Sequence, residues 1–165
     1  MWYNKNMKRV AKFEKISKQN FITSTSFGED AYDVYELPKR GTVGSAGYDF
    51  FAVTDFTLNP GETITIPTGV RVNIDEGWVL KIYPRSSLGF KYRATLNNTV
   101  GIIDSDYYYS DNEGHIFVRM TNLGDKVMEV KKGQGFAQGI FVEYGITYDD
   151  DVTATRNGGF GSTNK

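Results

Sequence analysis

The chain has 165 residues, and its 19 basic and 20 acidic side chains nearly cancel. This length suits one domain with a core of its own, and the balanced charge gives no broad basic surface for nucleic acid. The absence of cysteine excludes disulfides and thiolate metal sites, and no run is apolar enough to span a bilayer.

Most of the chain shows the two-residue alternation of β-strands. The stretch 8–16 fits either a strand or a short amphipathic helix, and the polar stretch 24–30 fits a loop or a short helix. Clear strand patterns, separated by turn signals, follow at 63–66, 70–74, 78–83, 116–121 and 136–142. This spacing predicts one all-β domain of sandwich or barrel type.

The last residues differ in composition from the rest. Residues 149–165 are acidic and then rich in glycine, with almost no side chains to bury. We therefore expect a domain spanning 1–148 and a mobile C-terminal arm spanning 149–165.

The stretch NNTVGIIDSDY at 97–107 places a carboxylate at the end of a predicted strand. The apolar pair Ile102 and Ile103 would anchor that strand in a core and leave Asp104 at its end. A carboxylate held in this way can act as a general base, and the ring of Tyr107 could pack against a ring of a ligand. An ordinary surface turn is the alternative for this stretch taken alone.

The stretch PRSSLG at 84–89 carries groups that suit phosphate. Arg85 can form paired hydrogen bonds with an anionic group. Ser86 and Ser87 offer hydroxyl and backbone N–H groups, and a helix starting here would add its N-terminal dipole. The alternative is that one of these serines merely caps the helix.

The tail RNGGFGST at 156–163 has one aromatic residue among glycines. Phe160 could stack on a base, while Arg156, Ser162 and Thr163 could meet phosphates. The tail lacks the Gly-Lys-Ser/Thr sequence and the strand-to-helix setting of a P-loop, so that interpretation is rejected. A terminus without a function is the alternative.

Two more stretches each contain one polar residue of interest. Asp49 lies in GSAGYDFFA at 44–52, and Gln138 lies in GQGFAQG at 133–139. Taken alone, Asp49 fits a turn or capping residue and Gln138 an outward-facing residue of a strand.

In chain order, these five stretches resemble the five motifs of the trimeric deoxyuridine triphosphate nucleotidohydrolases (dUTPases). The likeness runs from about residue 44 to 164, and 7–17 resembles the family's first strand. It implies a jelly-roll-like distorted β-barrel that forms a homotrimer with active sites shared between subunits. It also implies hydrolysis of dUTP to dUMP and pyrophosphate with Mg²⁺ as cofactor, and a cytoplasmic location.

The resemblance also implies roles for single residues. Asp104 matches the general base that orients the water attacking the α-phosphorus, and Tyr107 matches the ring packed against the deoxyribose. Asp49 matches the carboxylate that holds a water of the Mg²⁺ shell. The implied substrate-binding residues are Asn98, Gly101 and Ile103 at the uracil edge, Arg85, Ser86, Ser87 and Gln138 at the phosphates, and Arg156, Phe160, Gly161, Ser162 and Thr163 in the arm.

The sequence departs from the family pattern at several positions. Ser87 stands where glycine is usual, Gly135 stands where arginine is usual, and Arg156 is one residue nearer Phe160 than usual. The turn after the third motif is expanded at 108–113. Phage-encoded members often vary in this way, so a viral or prophage origin is expected, with the host cytoplasm as location.

The expanded segment 108–113 is interpreted as a surface loop. Because Asp104 and Tyr107 precede it, we expect that it can be replaced with little effect on folding or hydrolysis. In a hypothesis of a different class, the chain is a regulatory binding protein, with or without enzymatic activity of its own, that contacts a regulatory protein partner through this loop. An inert loop is the alternative. The lone His115 is interpreted as structural.

A deaminase acting on dCTP is the alternative enzyme, since that class shares the fold and an Arg-Ser-Ser motif. It needs a catalytic glutamate on the strand after a Gly-His-Ile-like segment, and Arg119 stands at that position here. Arginine cannot relay protons at neutral pH, so the hydrolase is favoured.

Overall fold

The computed structural model describes residues 7–156, which are built mainly of antiparallel strands. All five strand patterns named above are confirmed to within one residue at each end. The strands are β1 Ala11–Lys15, β2 Lys39–Arg40, β3 Tyr48–Phe51, β4 Phe56–Leu58, β5 Thr63–Pro67, β6 Val70–Ile74, β7 Trp78–Pro84, β8 Ala94–Leu96, β9 Gly101–Ile103, β10 Phe117–Asn122, β11 Met128–Val130 and β12 Gly135–Glu143.

The strands form small antiparallel sheets around one apolar core. The largest sheet has the order β2-β3-β12-β7-β9, a second has the order β5-β10-β8, and β1–β6 and β11–β4 form two further pairs. Alternate side chains of these strands point inward, so the core contains fully buried residues from several sheets, among them Phe50, Leu80, Ile82, Met120 and Phe136. This arrangement confirms the prediction of a β-sandwich or barrel.

Helices occupy less of the chain. The ambiguous stretch 8–16 contains the strand β1, while 24–30 joins the end of one helix to the start of the next. No helix described within residues 7–156 has both the length and the apolar character to cross a membrane. The helices are α1 Lys18–Thr25, α2 Glu29–Val34 and α3 Ser86–Tyr92, with a 3-10 helix at Ser105–Tyr109.

The pair α1 and α2 forms because a cap and an aromatic cluster hold it on the sheet. The Ser17 hydroxyl accepts a hydrogen bond from the backbone N–H of Asn20 at 3.2 Å and so caps α1. The ring of Phe21 is fully buried and stacks on Tyr35 at 5.1 Å. The Tyr35 hydroxyl in turn donates to the carbonyl of Gly69 at 2.6 Å. These contacts fix the helix pair beside the start of β6.

Candidate active site

A cavity of about 240 Å³ is lined by residues of β7, β8, β9 and β10 and of the segments that follow them. Its apolar surface comes largely from strand residues, and its polar surface comes from side chains at the strand ends. Six of the predicted site residues line it together, namely Asn98, Gly101, Ile103, Asp104, Tyr107 and Arg156.

Asp104 lies directly after β9 and before the 3-10 helix, as the sequence predicts. Its side chain is 50% exposed, and one carboxylate oxygen accepts a hydrogen bond from Arg156 at 2.7 Å. The expected anchoring of the strand needs one correction, because Ile103 is half-buried against the core but Ile102 is 51% exposed. A short edge strand of three residues has room to bury one of the two side chains.

Tyr107 is almost completely buried beneath this carboxylate region. Its hydroxyl donates to the carbonyl of His115 at 2.7 Å and accepts from the side-chain amide of Asn112 at 2.9 Å. The guanidinium of Arg156 lies 5.8 Å from the ring centre, within the range of a cation–π contact. Burial raises the pKa of Tyr107 above its ordinary value, so the hydroxyl stays protonated at neutral pH.

A tight turn at 97–100 joins β8 to β9 at the edge of the cavity. Thr99 has a φ of 63°, and the backbone N–H of Val100 donates to the carbonyl of Asn98 at 2.7 Å. At Gly101 an added Cβ would lie 3.1 Å from the Cβ of Ile82, so a larger residue would press on β7. The turn therefore places Asn98 and nearby backbone groups at the edge of the cavity.

A second group of predicted residues lies on β3, on β12 and at the end of β7. Asp49 is paired in register with Gln138, and its carboxylate lies 3.5 Å from the guanidinium of Arg85. Gly47 makes room for Gln138, since an added Cβ would lie 2.8 Å from its Oε1 atom. An added Cβ at Gly135 would lie 2.9 Å from an Arg85 nitrogen. The Arg85 side chain therefore occupies the space over Gly135. In the family pattern, position 135 is usually an arginine.

The helix α3 begins beside this second group. Arg85 occupies its N-cap position, and no side chain caps it. Ser86 and Ser87 are exposed in the first turn, where backbone N–H groups have no partner within the helix. The alternative that one of these serines serves as the cap is thus not what the structure shows.

Asp49 and Asp104 lie on or beside strands that are not neighbours. In the largest sheet, β3 and β9 are separated by β12 and β7. With about 4.8 Å between neighbouring strands, β3 and β9 lie about 14 Å apart along the sheet. Arg85 of the second group follows β7, which pairs directly with β9.

Arg156 is the last residue of the chain that the structure describes. Its guanidinium donates to Asp104 and, through Nε, to Asp106 at 2.9 Å, and its side chain is 16% exposed. In the single chain it thus lies on the candidate base of its own subunit. The remaining arm residues predicted to bind substrate lie outside the described residues; they are Phe160, Gly161, Ser162 and Thr163.

The expanded segment 108–113 lies at the surface, with Tyr109 and Asp111 exposed, but side-chain contacts hold it to other elements. Tyr108 donates to Glu14 at 2.7 Å, and Glu113 accepts two hydrogen bonds from Ser17 at 2.7 and 2.6 Å. Ser110 is buried. The segment is therefore fastened to β1 and to the start of α1.

Two residues of this region were missed by the sequence analysis as functional candidates. Asp106 was visible within the third motif, but its pairing with Arg156 bridges 50 positions. Asn112 precedes a glycine by two positions, which signals a turn, yet nothing local indicates that its side chain turns back to Tyr107.

His115 has the structural role that the sequence indicates. It is fully buried, and its Nε2 atom accepts a hydrogen bond from the backbone N–H of Gly69 at 2.9 Å. Its Nδ1 atom lies 3.3 Å from the Ser24 hydroxyl. Burial lowers the pKa of His115 to about 4, so the ring is neutral near pH 7.

Among residues 7–156, no group of three or more His, Cys, Asp or Glu side chains is arranged to hold a metal ion. Asp49 contributes one partly exposed carboxylate. Any divalent cation at this position would therefore need most of its ligands from elsewhere, such as phosphate oxygens and water.

Comparison with known proteins identifies the family. The dUTPase family model matches residues 33–164. A deoxyuridine 5'-triphosphate nucleotidohydrolase of Lactococcus lactis is 43% identical over 130 residues, covering 77% of this chain and 87% of the relative. The corresponding protein of Actinobacillus succinogenes is 42% identical over 139 residues, with 79% and 89% covered.

Solved structures agree with this result. The dUTPase of Streptococcus mutans is 34% identical, with a TM-score of 0.65 over 82% of this chain and 97% of that one. A dUTPase from phage phi11 of S. aureus shares the fold with a TM-score of 0.63 at 20% identity, covering 88% and 97%. The predicted jelly-roll-like β-fold is confirmed. The chain belongs to the dUTPase family and is a hydrolase that converts dUTP to dUMP.

Proposed function

We propose that Asp104 is the general base of this hydrolase and that the cavity beside it holds the deoxyuridine part of dUTP. The observation that carries the proposal is the position of the Asp104 carboxylate at the cavity, beside the buried ring of Tyr107. The cavity volume of about 240 Å³ lies just below the range of about 300–1,000 Å³ that is usual for small-molecule sites, which fits a cavity that holds only part of the substrate.

In the proposed reaction, Asp104 orients a water molecule and accepts its proton as the water oxygen attacks the α-phosphorus. A new P–O bond forms, and the bond from the α-phosphorus to the oxygen bridging to the β-phosphorus breaks. The products are dUMP and pyrophosphate. In the single chain one carboxylate oxygen accepts from Arg156, and movement of Arg156 to the γ-phosphate of a neighbouring site would leave both oxygens available to the water.

Substrate selection follows from the cavity wall. Tyr107 would pack against the deoxyribose and leave no room for a 2′-hydroxyl group. The turn carrying Asn98, together with the backbone of Gly101 and Ile103, would hydrogen-bond the edge of uracil. The turn's closeness to the base would exclude a methyl group at C5.

The triphosphate would lie on the second group of residues. Arg85, Ser86, Ser87 and Gln138 provide a guanidinium, two hydroxyls, backbone N–H groups and an amide. Asp49 would hold a water of a Mg²⁺ ion bound mainly by phosphate oxygens, which suits the coordination that Mg²⁺ prefers. When bound, the ion would supply positive charge to the phosphates. A structural Mg(II) ion is coordinated in a mutant dUTPase of phage phi11.

A homotrimer is proposed because trimeric assembly is consistent with the related dUTPases and because Asp49 and Asp104 lie at strands with two others between them. Packing β9 of one subunit against β3 and α3 of another would unite them into one site. The arm of residues 149–165 would then close over this site from a neighbouring subunit, with Phe160 over uracil and Ser162, Thr163 and Arg156 at the γ-phosphate. Closure of this kind excludes water and completes the set of ligands.

The test is pyrophosphate release from dUTP and dCTP measured side by side, with the molar mass obtained by light scattering. We expect Mg²⁺-dependent pyrophosphate release from dUTP, no ammonia from dCTP, and the mass of three chains. Ammonia release from dCTP, or full activity in a monomer, would overturn the proposal.

A regulatory role through the segment 108–113 is a second candidate. Tyr109 is 75% exposed and packs against Tyr108 at 5.0 Å, so it presents an aromatic contact surface. Among the proteins of the same fold, phage dUTPases such as that of Staphylococcus bacteriophage 80alpha control transfer of virulence genes by a G protein-like mechanism. A phage origin and a host-cytoplasmic location belong to this same proposal. Tyr109→Ser should weaken such an interaction and leave dUTP hydrolysis unchanged.

A further inference from the structure

We propose that Asn112, in the expanded segment 108–113, is a positioning residue for Tyr107 and thereby sets the selection of deoxyribose over ribose. The inference rests on the proposed role of Tyr107 at the sugar and adds a determinant outside the five motifs. It follows from the hydrogen bonds that fix the tyrosine and from those that fix Asn112 itself.

The hydroxyl of Tyr107 is held on two sides. It donates its proton to the His115 carbonyl at 2.7 Å, and it accepts a proton from Asn112 Nδ2 at 2.9 Å. Because a hydroxyl has one proton to donate, the second bond depends on a neighbouring donor. Among the described residues, Asn112 is the donor to the Tyr107 hydroxyl. The two hydrogen bonds together fix how far the Tyr107 ring reaches into the cavity.

Asn112 is itself fixed by groups on both sides. Its Oδ1 atom accepts from the backbone N–H of Gly114 at 3.2 Å, and its backbone carbonyl accepts from the side chain of Asn20 on α1 at 3.0 Å. Gly114 has a φ of 70°, and an added Cβ there would lie 2.8 Å from the Tyr107 carbonyl oxygen. The turn is therefore packed closely against the backbone of the residue that it supports.

The flanks of the segment are fastened as well. Tyr108 donates to Glu14, whose carboxylate also lies 3.2 Å from Arg71, and the Arg71 guanidinium lies 4.4 Å from the Tyr108 ring. At the other end Glu113 accepts both hydrogen bonds from Ser17. Clamped at both ends, the segment forms a rigid support beneath Tyr107 in place of a mobile loop.

Rigidity matters here because ribose differs from deoxyribose by a single oxygen atom at the 2′ position, so a small movement of the Tyr107 ring decides whether ribose fits. A supporting side chain must hold its partner to within about 0.5 Å for such discrimination. Without the Asn112 donor, the Tyr107 ring can move away from the cavity and admit a 2′-hydroxyl group. We expect the ratio of kcat/KM for dUTP to kcat/KM for UTP to fall about tenfold, as for loss of one neutral hydrogen bond.

The experiment compares Asn112→Ala and Asn112→Asp with wild type, using kcat and KM for dUTP and for UTP. Asn112→Asp keeps the acceptor for Gly114 but replaces the donor to Tyr107 by an oxygen that competes with the His115 carbonyl for the Tyr107 proton, so it alters the pair of bonds that fixes the ring and serves if the alanine variant folds poorly. Asp111→Ala is the matched control, because Asp111 is exposed in the same segment and has no hydrogen-bond or ion-pair partner among residues 7–156.

A double-mutant cycle separates positioning from general destabilisation. If Asn112 acts through the Tyr107 hydroxyl, Asn112→Ala should change the dUTP/UTP ratio in wild type but not in a Tyr107→Phe background. An unchanged ratio in both Asn112 variants, or equal changes in both backgrounds, would overturn the inference while dUTP hydrolysis stands. A wild-type enzyme that uses dUTP and UTP equally would overturn the proposed role of Tyr107 and the inference with it.

Discussion

Replacing Glu113 by glutamine should lower the stability of the folded chain by removing the clamp between the expanded segment and α1. The Glu113 carboxylate accepts from the backbone N–H of Ser17 at 2.7 Å and from its hydroxyl at 2.6 Å. Glutamine keeps the shape but removes the charge, and its amide NH₂ can only donate to the Ser17 hydroxyl, so two charge-assisted hydrogen bonds become at best two neutral ones.

The size of the effect follows from the charge and exposure of this pair. Hydrogen bonds to a charged group contribute about 1.5–3 kcal/mol each, and the partly exposed setting of Glu113 reduces that figure. We expect a loss of about 2 kcal/mol in the free energy of unfolding. For a chain of this length that corresponds to a fall of about 5 °C in Tm.

The assay is thermal unfolding at fixed protein concentration, since an oligomer's Tm depends on concentration. Asp111→Asn, an exposed carboxylate two residues away, should leave Tm within about 1 °C as the control. A Tm for Glu113→Gln equal to that of wild type and of the control would refute the clamp.

The difference between wild type and Glu113→Gln should also depend on pH. Burial alone would raise the pKa of Glu113, but the hydrogen bonds from Ser17 outweigh burial and hold it below its ordinary value. A lowered pKa in the folded state adds stability above the unfolded pKa, and this stability is lost as pH falls through the folded pKa. The two proteins should therefore converge in stability only as the pH falls below the ordinary glutamate pKa and through the lowered pKa of Glu113.

Three further predictions concern other parts of the molecule. The unfolded chain protonates His115 below about pH 6.5, but the folded chain does so only near pH 4. As the pH falls from 6.5 to 4, the free energy of unfolding of wild type, measured by urea titration, should therefore fall by up to about 3 kcal/mol, and that of His115→Gln should fall by less. Gly135→Ala should displace the Arg85 guanidinium and raise KM for dUTP several-fold, about 1 kcal/mol in binding, with Tm nearly unchanged; an unchanged KM would show that Arg85 does not contact the phosphates. Mixed trimers of chains ending at residue 157 and Asp104→Asn chains should regain part of the activity lost in each parent, and no recovery despite proven subunit exchange would mean that the arm does not serve a neighbouring subunit.

The strands and the order of the site motifs could be predicted because their signals are local. Alternation along 116–121 reports which side chains face the core, and β10 shows that pattern with Val118 and Met120 buried. The position of Asp104 at a strand end follows from the apolar residues before it and the turn after it. Local patterns of this kind need no knowledge of distant contacts.

The helix pair and the Asn112 contact could not be predicted, for two different reasons. Phe21 and Tyr35 are 14 positions apart and stack only after α1 and α2 fold over β6, and α1 has no strong apolar face of its own. Tertiary packing therefore determines the helix pair. The Asn112 contact with Tyr107 spans only five positions, but a turn signal does not indicate which group the side chain of a turn residue will contact.

The most direct test of the proposed mechanism is turnover and binding by Asp104→Asn measured on the same preparation. Asparagine keeps the shape of the side chain and removes its basicity, so we predict a fall in kcat for dUTP of about 10²–10⁴-fold. Binding of a non-hydrolysable dUTP analogue in the presence of Mg²⁺ should stay within about tenfold of wild type. A variant that releases pyrophosphate at the wild-type rate would contradict the assignment of Asp104 as the base.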